Sequence, residues 1–333
     1  MHIEPFALER WFGEYEHEAE IMLAESGIRS LPASRFDLDP GELGYVVPTT
    51  GDPELRAEIG DRYGRSAEEV VCTVGAQEAN FLAFASLLDA GAHAVVVTPT
   101  YQALASVPRA FADVTEVRLE PPEWGLDPDD VAGAIQPETE LIVLVNPNNP
   151  TGRYHSLSTV EALYDLAADA GAYLLCDEVY RLLADDPLPP VASMGGHGIS
   201  TTSVTKAYGL AGARFGWICG PDEVVDGVVR WKDYTTISPS PFGQHVARQA
   251  LADEEAILRE NRSLARRNHE RVVAFLDEFA GDGLSWFEPV GLNGFVTVPD
   301  GFDGSREFCR RVVEAESVVL APGDCFGYDG FFR

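Results

Sequence analysis

The chain has 333 residues, 45% of them hydrophobic, which is an ordinary globular composition and a length typical of about two domains. Its 24 Lys and Arg residues against 54 Asp and Glu residues give a formal charge of −30, which argues against nucleic acids and anionic membranes as partners. No apolar run approaches the ~20 residues that span a bilayer. The N-terminus lacks a basic stretch followed by an apolar one, so no signal peptide is expected.

Lysine is scarce in this sequence. Only Lys206 and Lys232 occur among the 24 basic residues, so 24 − 2 = 22 are arginine. An acidic, lysine-poor surface resembles those of proteins from salt-accumulating halophiles, in which dense salt screens the repulsion between like charges. The alternative is an acidic enzyme from a mesophile. The five cysteines show no C-x-x-C and the seven histidines no zinc-type spacing. We therefore expect free thiols, a cytoplasmic protein and no metal.

The chain opens with a predicted amphipathic helix over 6–26, where apolar residues recur at helical spacing. A segment rich in proline and glycine follows over 31–53. Short β-rich apolar runs then alternate with helical stretches, which include 76–89, 102–112 and 157–170. The predicted strands are 69–74, 94–98, 114–119, 140–146, 172–177, 199–205 and 215–219. This alternation predicts an α/β fold, a three-layer α/β/α arrangement around a mainly parallel seven-stranded sheet.

Beyond Pro241 the pattern changes. It is helical to Phe279, and the tail 284–333 mixes strands, turns and one helix over 305–316. We expect a large domain over 42–240 and a smaller α+β domain built from 1–41 and 241–333. A long helix over about 241–279 is predicted to link them.

The ends of the predicted strands carry the candidate functional residues, because ligands of open α/β sheets bind at the carboxyl ends of the strands. The turn Gly75-Ala76-Gln77 opens a helix whose free N–H groups can hold a phosphate, although such turns also occur without a ligand. Tyr101 either packs in the core or stacks on a planar ligand. The prolines around Asn149 fix that loop, which is either an ordinary turn or a rigid mount for the amide.

Charged residues follow two further strands. Asp177 ends an apolar strand, where a carboxylate is costly unless it has a partner. Lys206, one of the two lysines, follows another strand, with Ser203 three residues before it and Arg214 eight residues after it. A surface lysine is the ordinary interpretation, which the scarcity of lysine weakens. Neither a G-x-G-x-x-G nor a P-loop pattern is present, so nucleotide-binding folds lose support.

In this order along the chain, the residues form a recognisable set. Tyr45, Gly75-Ala-Gln, Tyr101, Asn-Pro-Asn-Asn-Pro-Thr-Gly, Asp-Glu-Val-Tyr and Ser-Val-Thr-Lys-Ala-Tyr-Gly-Leu-Ala-Gly-Ala-Arg resemble the fold-type-I, pyridoxal-phosphate-dependent class I/II aminotransferases. The resemblance covers nearly the whole chain. Within the family, the stretches 232–236 and 322–327 resemble enzymes grouped with capreomycidine synthase.

The resemblance implies a role for each motif. Lys206 would form the Schiff base with pyridoxal phosphate and then shuttle a proton, and Asp177 would pair with the pyridinium nitrogen. The remaining contacts to the cofactor would come from Asn149 and Tyr180 at the phenolate oxygen, Tyr101 stacked on the ring, Ser203, Arg214 and the backbone of Ala76 and Gln77 at the phosphate, and Tyr45 at the phosphate of the neighbouring subunit. A homodimer follows from the role of Tyr45.

The family also implies a clamp for the substrate α-carboxylate. Arg333 matches the position of the family's arginine, and Asn149 would assist it. The family normally continues beyond this point. We therefore expect either that the chain is truncated or that a terminal carboxylate on Arg333 competes with substrate.

Several functions remain open at this stage. The first is transfer of an amino group from an L-amino acid to a 2-oxo acid. A lyase, a decarboxylase or a cyclase like capreomycidine synthase would keep every cofactor residue, because the cofactor carries the chemistry and the pocket directs it. A non-catalytic sensor on the same fold is the remaining alternative. Retention of Lys206 together with Asp177 disfavours it.

Overall fold

In the computed structural model, which describes residues 2–333, a seven-stranded sheet lies between layers of helices. The strands are β1 (Ile21–Met22), β2 (Val70–Thr73), β3 (His93–Thr98), β4 (Asp113–Arg118), β5 (Thr139–Val145), β6 (Tyr173–Asp177), β7 (Gly198–Ser203), β8 (Gly216–Cys219), β9 (Val296–Thr297), β10 (Val318–Val319) and β11 (Phe331–Phe332). The helices are α1 (Ala7–Tyr15), α2 (Pro53–Tyr63), α3 (Gly75–Leu87), α4 (Ala103–Phe111), α5 (Pro128–Ala134), α6 (Leu157–Ala170), α7 (Asp222–Lys232), α8 (Pro241–Ala252), α9 (Glu254–Glu278) and α10 (Ser305–Glu316).

The central sheet has the strand order β2-β8-β7-β6-β5-β3-β4. The five strands from β7 to β4 pair in parallel, and β8 runs antiparallel to both of its neighbours. Strands β3 and β5 consist almost wholly of buried residues, as expected for strands covered on both faces. The predicted α/β fold with its mainly parallel seven-stranded sheet is confirmed.

The N-terminal prediction was wrong in extent. Helix α1 ends at Tyr15, and the chain then turns into the short strand β1, which pairs in parallel with β10. The indole of Trp11 donates a hydrogen bond of 2.8 Å to the carbonyl oxygen of Leu320. The apolar residues after Tyr15 therefore face the C-terminal part of the chain and the sheet, which produces a helix-like pattern without a helix.

The predicted long linking helix over 241–279 is two helices. Helix α8 ends at Ala252 and α9 begins at Glu254, with Asp253 between them in a non-helical conformation (φ −102°, ψ 18°). Asp253 is held there in part by Arg35, whose guanidinium lies 2.8 Å from its carboxylate. The division into domains over 42–240 and over 1–41 with 241–333 stays a prediction.

No helix within residues 2–333 is long and apolar enough to cross a membrane.

Candidate active site

A cavity of about 340 Å³ lies at the carboxyl edge of the sheet, where the N-terminal segment covers the strand ends. Side chains from that segment, from the sheet edge and from the C-terminus line it. Ten of the eleven residues singled out from the sequence are among them: Ala76, Gln77, Tyr101, Asn149, Asp177, Tyr180, Ser203, Lys206, Arg214 and Arg333. Parallel pairing explains the convergence, since it brings strand ends that are far apart in sequence to one edge.

Asp177 is a buried carboxylate at the end of β6, and its register places it opposite Val145 on one side and Thr201 on the other. The amide of Asn80 donates to it at 2.8 Å, and the backbone N–H of Val179 donates at 3.2 Å. Burial raises the pKa of Asp177, and these hydrogen bonds together with the charge of Lys206 offset part of that rise. The carboxylate thus sits where an opposite charge in the cavity would stabilise it.

Lys206 lies half-buried beyond the end of β7, and its side chain lines the same cavity. Its Nζ donates a hydrogen bond of 2.9 Å to Oγ of Ser26, which lies 180 residues earlier in the chain. The second lysine, Lys232, is 1% exposed, lies 3.5 Å from the Glu78 carboxylate, and does not line the cavity. Lys206 is therefore the amine available to a ligand in this cavity.

The N-terminus of α3 meets Ser203 and Arg214 at one end of the cavity. Gly75 has a φ of +79°, and a Cβ placed on it would lie 3.2 Å from the Arg214 guanidinium. On Gly216 a Cβ would lie 2.6 Å from the carbonyl carbon of Gly75 and 2.8 Å from the backbone nitrogen of Ala76. The two glycines let this turn approach strand β8 closely. Free N–H groups, a hydroxyl and a guanidinium at a helix N-terminus favour an anion.

Aromatic and amide side chains form the opposite wall. The Tyr101 hydroxyl donates to the carboxylate of Glu9 at 3.1 Å, and its ring centroid lies 4.9 Å from that of Phe6. The Tyr180 side chain is 3% exposed, and its hydroxyl has no hydrogen-bond partner within residues 2–333. Because this hydroxyl lies on the cavity wall without a partner in the described chain, it is a donor that a ligand can use.

Arg333 closes the inner end of the cavity and is 8% exposed. Its guanidinium donates to Oδ1 of Asn149 at 2.7 Å and to the carbonyl oxygen of Ala24 at 2.8 Å. Its backbone pairs with Ala321, with N–O distances of 2.8 and 3.0 Å, so the main chain is fixed independently of the side chain. Burial lowers the pKa of Arg333, and the nearby Tyr180 and Tyr101 oppose that effect.

The family model for aminotransferases of class I and II matches residues 12–333. The chain belongs to this family. It is 32% identical to capreomycidine synthase of Streptomyces vinaceus, over 96% of this chain and 86% of the relative, and 31% identical to aspartate/prephenate aminotransferase of Thermus thermophilus, over 90% and 80%. A PLP-dependent aminotransferase from Streptococcus suis superposes with a TM-score of 0.94 at 30% identity, covering 100% of this chain and 92% of that one.

The cofactor of this aminotransferase is therefore pyridoxal phosphate, as the sequence predicts. The residues present fit that group. Gly75 lies close to Gly216, so the free N–H groups of the α3 turn are next to the Arg214 guanidinium. This arrangement suits a phosphate. Buried Asp177 suits a protonated ring nitrogen, and the unpaired Tyr180 hydroxyl suits a ring oxygen.

Tyr45 is the predicted site residue that the single chain does not bring to the cavity. Its side chain is 80% exposed, and it lies in a separate surface depression with Arg248 and Gln244. An exposed position suits contact with another molecule, and its role at the phosphate of a neighbouring subunit stays a prediction.

Sequence reasoning missed three groups of this aminotransferase site: Asn80, Ser26 and the glutamates of the N-terminal segment. Asn80 carried a weak signal, since it is a polar residue in the apolar stretch of α3 and follows the phosphate-type turn by five positions. Its Oδ1 accepts a hydrogen bond of 2.6 Å from Thr201, which orients the amide toward Asp177. Ser26 carried no local signal, because its partner lies far away in sequence.

Proposed function

We propose that this chain moves an amino group from an L-amino acid to a 2-oxo acid, with Lys206 as the residue that holds the cofactor and transfers the proton. The observation that carries the proposal is the meeting of Lys206, buried Asp177 and buried Arg333 in one cavity. When bound, pyridoxal phosphate accepts the amino group, delocalises the electron pair left at the substrate Cα, and passes the amino group to the acceptor.

The residues of the chain divide the remaining work. The Lys206 amine would remove the proton from the substrate Cα and deliver it to the C4′ atom of the cofactor, and it would carry a proton in the opposite direction to the Cα of the acceptor. Asp177 keeps the ring nitrogen of the cofactor protonated, because its buried carboxylate favours a neighbouring positive charge. Asn149 and Tyr180 hydrogen-bond the ring oxygen, and Tyr101 packs on the ring.

The phosphate would be held by Ser203, Arg214 and the backbone of Ala76 and Gln77, as the geometry of the α3 turn supports. Tyr45 of a second copy would add a hydroxyl, so we propose a homodimer. The exposure of Tyr45 and of its neighbours Leu43 and Val47 supports an interface there.

Arg333 would bind the substrate α-carboxylate, assisted by Asn149. The guanidinium is already oriented by two acceptors, so it offers planar, paired donors at the inner end of the cavity. A neutral acceptor such as Asn149 Oδ1 can be exchanged for a carboxylate at a gain, because hydrogen bonds between charged groups are the stronger kind.

The setting we propose is a cytoplasm rich in salt. The net charge of −30 and the absence of exposed lysine support it, since Lys206 is half-buried and Lys232 is 1% exposed. Screening by concentrated salt reduces the self-repulsion of such a surface.

A cyclase is the second candidate, favoured by the similarity to capreomycidine synthase over 96% of the chain. A lyase or a decarboxylase would likewise turn over with an amino acid alone. An aminotransferase stops after one equivalent unless a 2-oxo acid is supplied.

The test is to mix the cofactor-loaded protein in concentrated KCl with a panel of L-amino acids and no acceptor. The proposal predicts bleaching of the visible band and release of one equivalent of 2-oxo acid per site. Continuous product formation without acceptor would favour the second candidate. Lys206→Ala is the control and should show neither result.

A further inference from the structure

The charges that line the cavity are arranged by sign. The three cations, Lys206, Arg214 and Arg333, lie on the sheet and C-terminal side. The N-terminal segment that covers the cavity contributes Glu9, Glu16 and Glu25 and no cation. A ligand in this cavity therefore meets the buried Arg333 and the half-buried Lys206 on one side and the exposed carboxylates of the N-terminal segment on the other, while Arg214 is exposed at the α3 turn.

Under the proposed function, each of the three cations already has a partner. Lys206 holds the cofactor, Arg214 its phosphate, and Arg333 the α-carboxylate of the substrate. No cation of the cavity lining remains for a second carboxylate. The cavity is a ligand site on grounds independent of the glutamates, because Tyr180, a residue only 3% exposed, lines it with a hydroxyl that has no hydrogen-bond partner within residues 2–333.

Glu16 and Glu25 make no ion pair with the rest of the described chain, whereas the charge of Glu9 acts on Arg333. Within residues 2–333, no Lys or Arg lies within 4.0 Å of the carboxylates of Glu9, Glu16 or Glu25, although Glu9 accepts the Tyr101 hydroxyl. Arg35, a basic residue of the same N-terminal region, is bound to Asp253 and Glu260.

The proposed dimer would not supply the missing cation through the Tyr45 segment. The stretch 36–48 contains Asp37, Asp39 and Glu42 and neither Lys nor Arg. If Tyr45 reaches the cavity of the other subunit, this stretch adds negative charge to its opening.

We propose that the amino donor carries a positively charged side chain, a guanidinium or an ammonium group, which the N-terminal glutamates select. The inference rests on the proposed function. It separates this chain from the relative named as an aspartate/prephenate aminotransferase, whose named substrates carry a second carboxylate. A basic side chain complements the opening, whereas an acidic one meets like charges there.

The size of the effect follows from the exposure of the glutamates. Each is solvent-exposed, so each ion pair with the substrate gives only a few-fold gain in affinity. Two such pairs predict a preference of about 10-fold for a cationic side chain over a neutral one of the same shape. The preference must shrink as salt rises, because exposed pairs are screened.

L-Arginine and L-citrulline form the decisive pair, since they have nearly the same shape and differ in charge. The dissociation constant of each is measured with the cofactor-loaded protein by isothermal titration calorimetry and by titration of the visible band, in low and in high KCl. L-Lysine and L-glutamate complete the panel. We expect arginine to bind about 10-fold more tightly than citrulline, and glutamate most weakly.

Glu16→Gln and Glu25→Gln test the assignment, because neither residue contacts another predicted site residue. Each should reduce the ratio of arginine to citrulline affinity several-fold and leave citrulline affinity unchanged. Glu18→Gln is the matched control, an exposed glutamate of the same segment that does not line the cavity. It should leave the ratio unchanged.

Equal binding of arginine and citrulline, tighter binding of glutamate, or an equal effect of all three variants would overturn the inference while leaving the proposed function intact. Failure of the protein to develop a visible band with pyridoxal phosphate would instead contradict the proposed function. The two failures are therefore distinguishable in one set of titrations.

Discussion

Replacement of Arg333 by Gln tests how the cavity binds the substrate carboxylate. The change removes the guanidinium that contacts Asn149 at 2.7 Å and Ala24 at 2.8 Å. The main chain should stay in place, because both the backbone N–H and the carbonyl oxygen of Arg333 are hydrogen-bonded to Ala321. The perturbation is thus confined to the side chain at the inner end of the cavity.

The magnitude follows from the two roles of the guanidinium. Loss of a hydrogen bond to a charged group costs about 1.5–3 kcal/mol, which predicts roughly 10- to 100-fold weaker binding of the amino acid. Folding should be weakened as well, by about 1–3 kcal/mol, because the buried carbonyl of Ala24 loses its donor. The loss of affinity should be the same for arginine and citrulline, since both carry the α-carboxylate.

The assay is the midpoint of the amino-acid titration of the visible band, with thermal unfolding measured in parallel. Arg306→Gln is the control, an arginine of the same region that pairs with Asp324 at the surface. That pair should contribute about 0–1 kcal/mol and the control should titrate like the parent. A folded Arg333→Gln protein that titrates within about threefold of the parent would refute the assignment of Arg333.

Three further predictions concern the cofactor. Gly216→Ala places a methyl group against the α3 turn and should weaken pyridoxal phosphate binding at least 10-fold in an equilibrium titration, whereas Gly212→Ala, whose Cβ meets nothing within 4 Å, should not. Asp177→Asn should abolish amino transfer yet stabilise the cofactor-free protein against unfolding. The gain in stability should grow as pH rises, because the raised pKa of Asp177 means that its ionised form opposes folding. Equal thermal unfolding of both proteins across pH would contradict this. Ser26→Ala removes the hydroxyl that accepts from the Lys206 amine and should slow the bleaching of the visible band by a saturating amino acid, because the freed amine is less well positioned; an unchanged rate would show that the contact is incidental.

Local patterns in the sequence predict the elements best where a single physical cause sets them. Helix α6 spans Leu157–Ala170, as predicted, because Ser156 caps its first turn and Gly171 ends it in a left-handed conformation. The buried strands β5 and β6 lie within a residue of their predicted bounds, since continuous apolar runs mark them. The prediction made the N-terminal helix too long, because the apolar residues beyond Tyr15 pair as a strand and pack over the cavity instead.

The candidate site likewise has a part that the sequence could predict and a part that it could not. Residues at strand ends could be placed together from the sequence, because parallel pairing fixes where those ends meet. Contacts made by the docking of remote segments could not. Asn80 meets Asp177 across 97 residues, Glu9 meets Tyr101 across 92, and Ser26 meets Lys206 across 180. No periodicity or spacing records those distances.

Trapping the bond between protein and cofactor tests the central claim most directly. The protein loaded with pyridoxal phosphate is reduced with borohydride, digested and mapped by mass spectrometry. With only two lysines in the chain, the result is a choice between Lys206 and the buried Lys232. The account predicts the modified peptide at Lys206 alone, and its loss in Lys206→Ala. Modification at Lys232, or none at Lys206 in a protein that binds the cofactor, would contradict it.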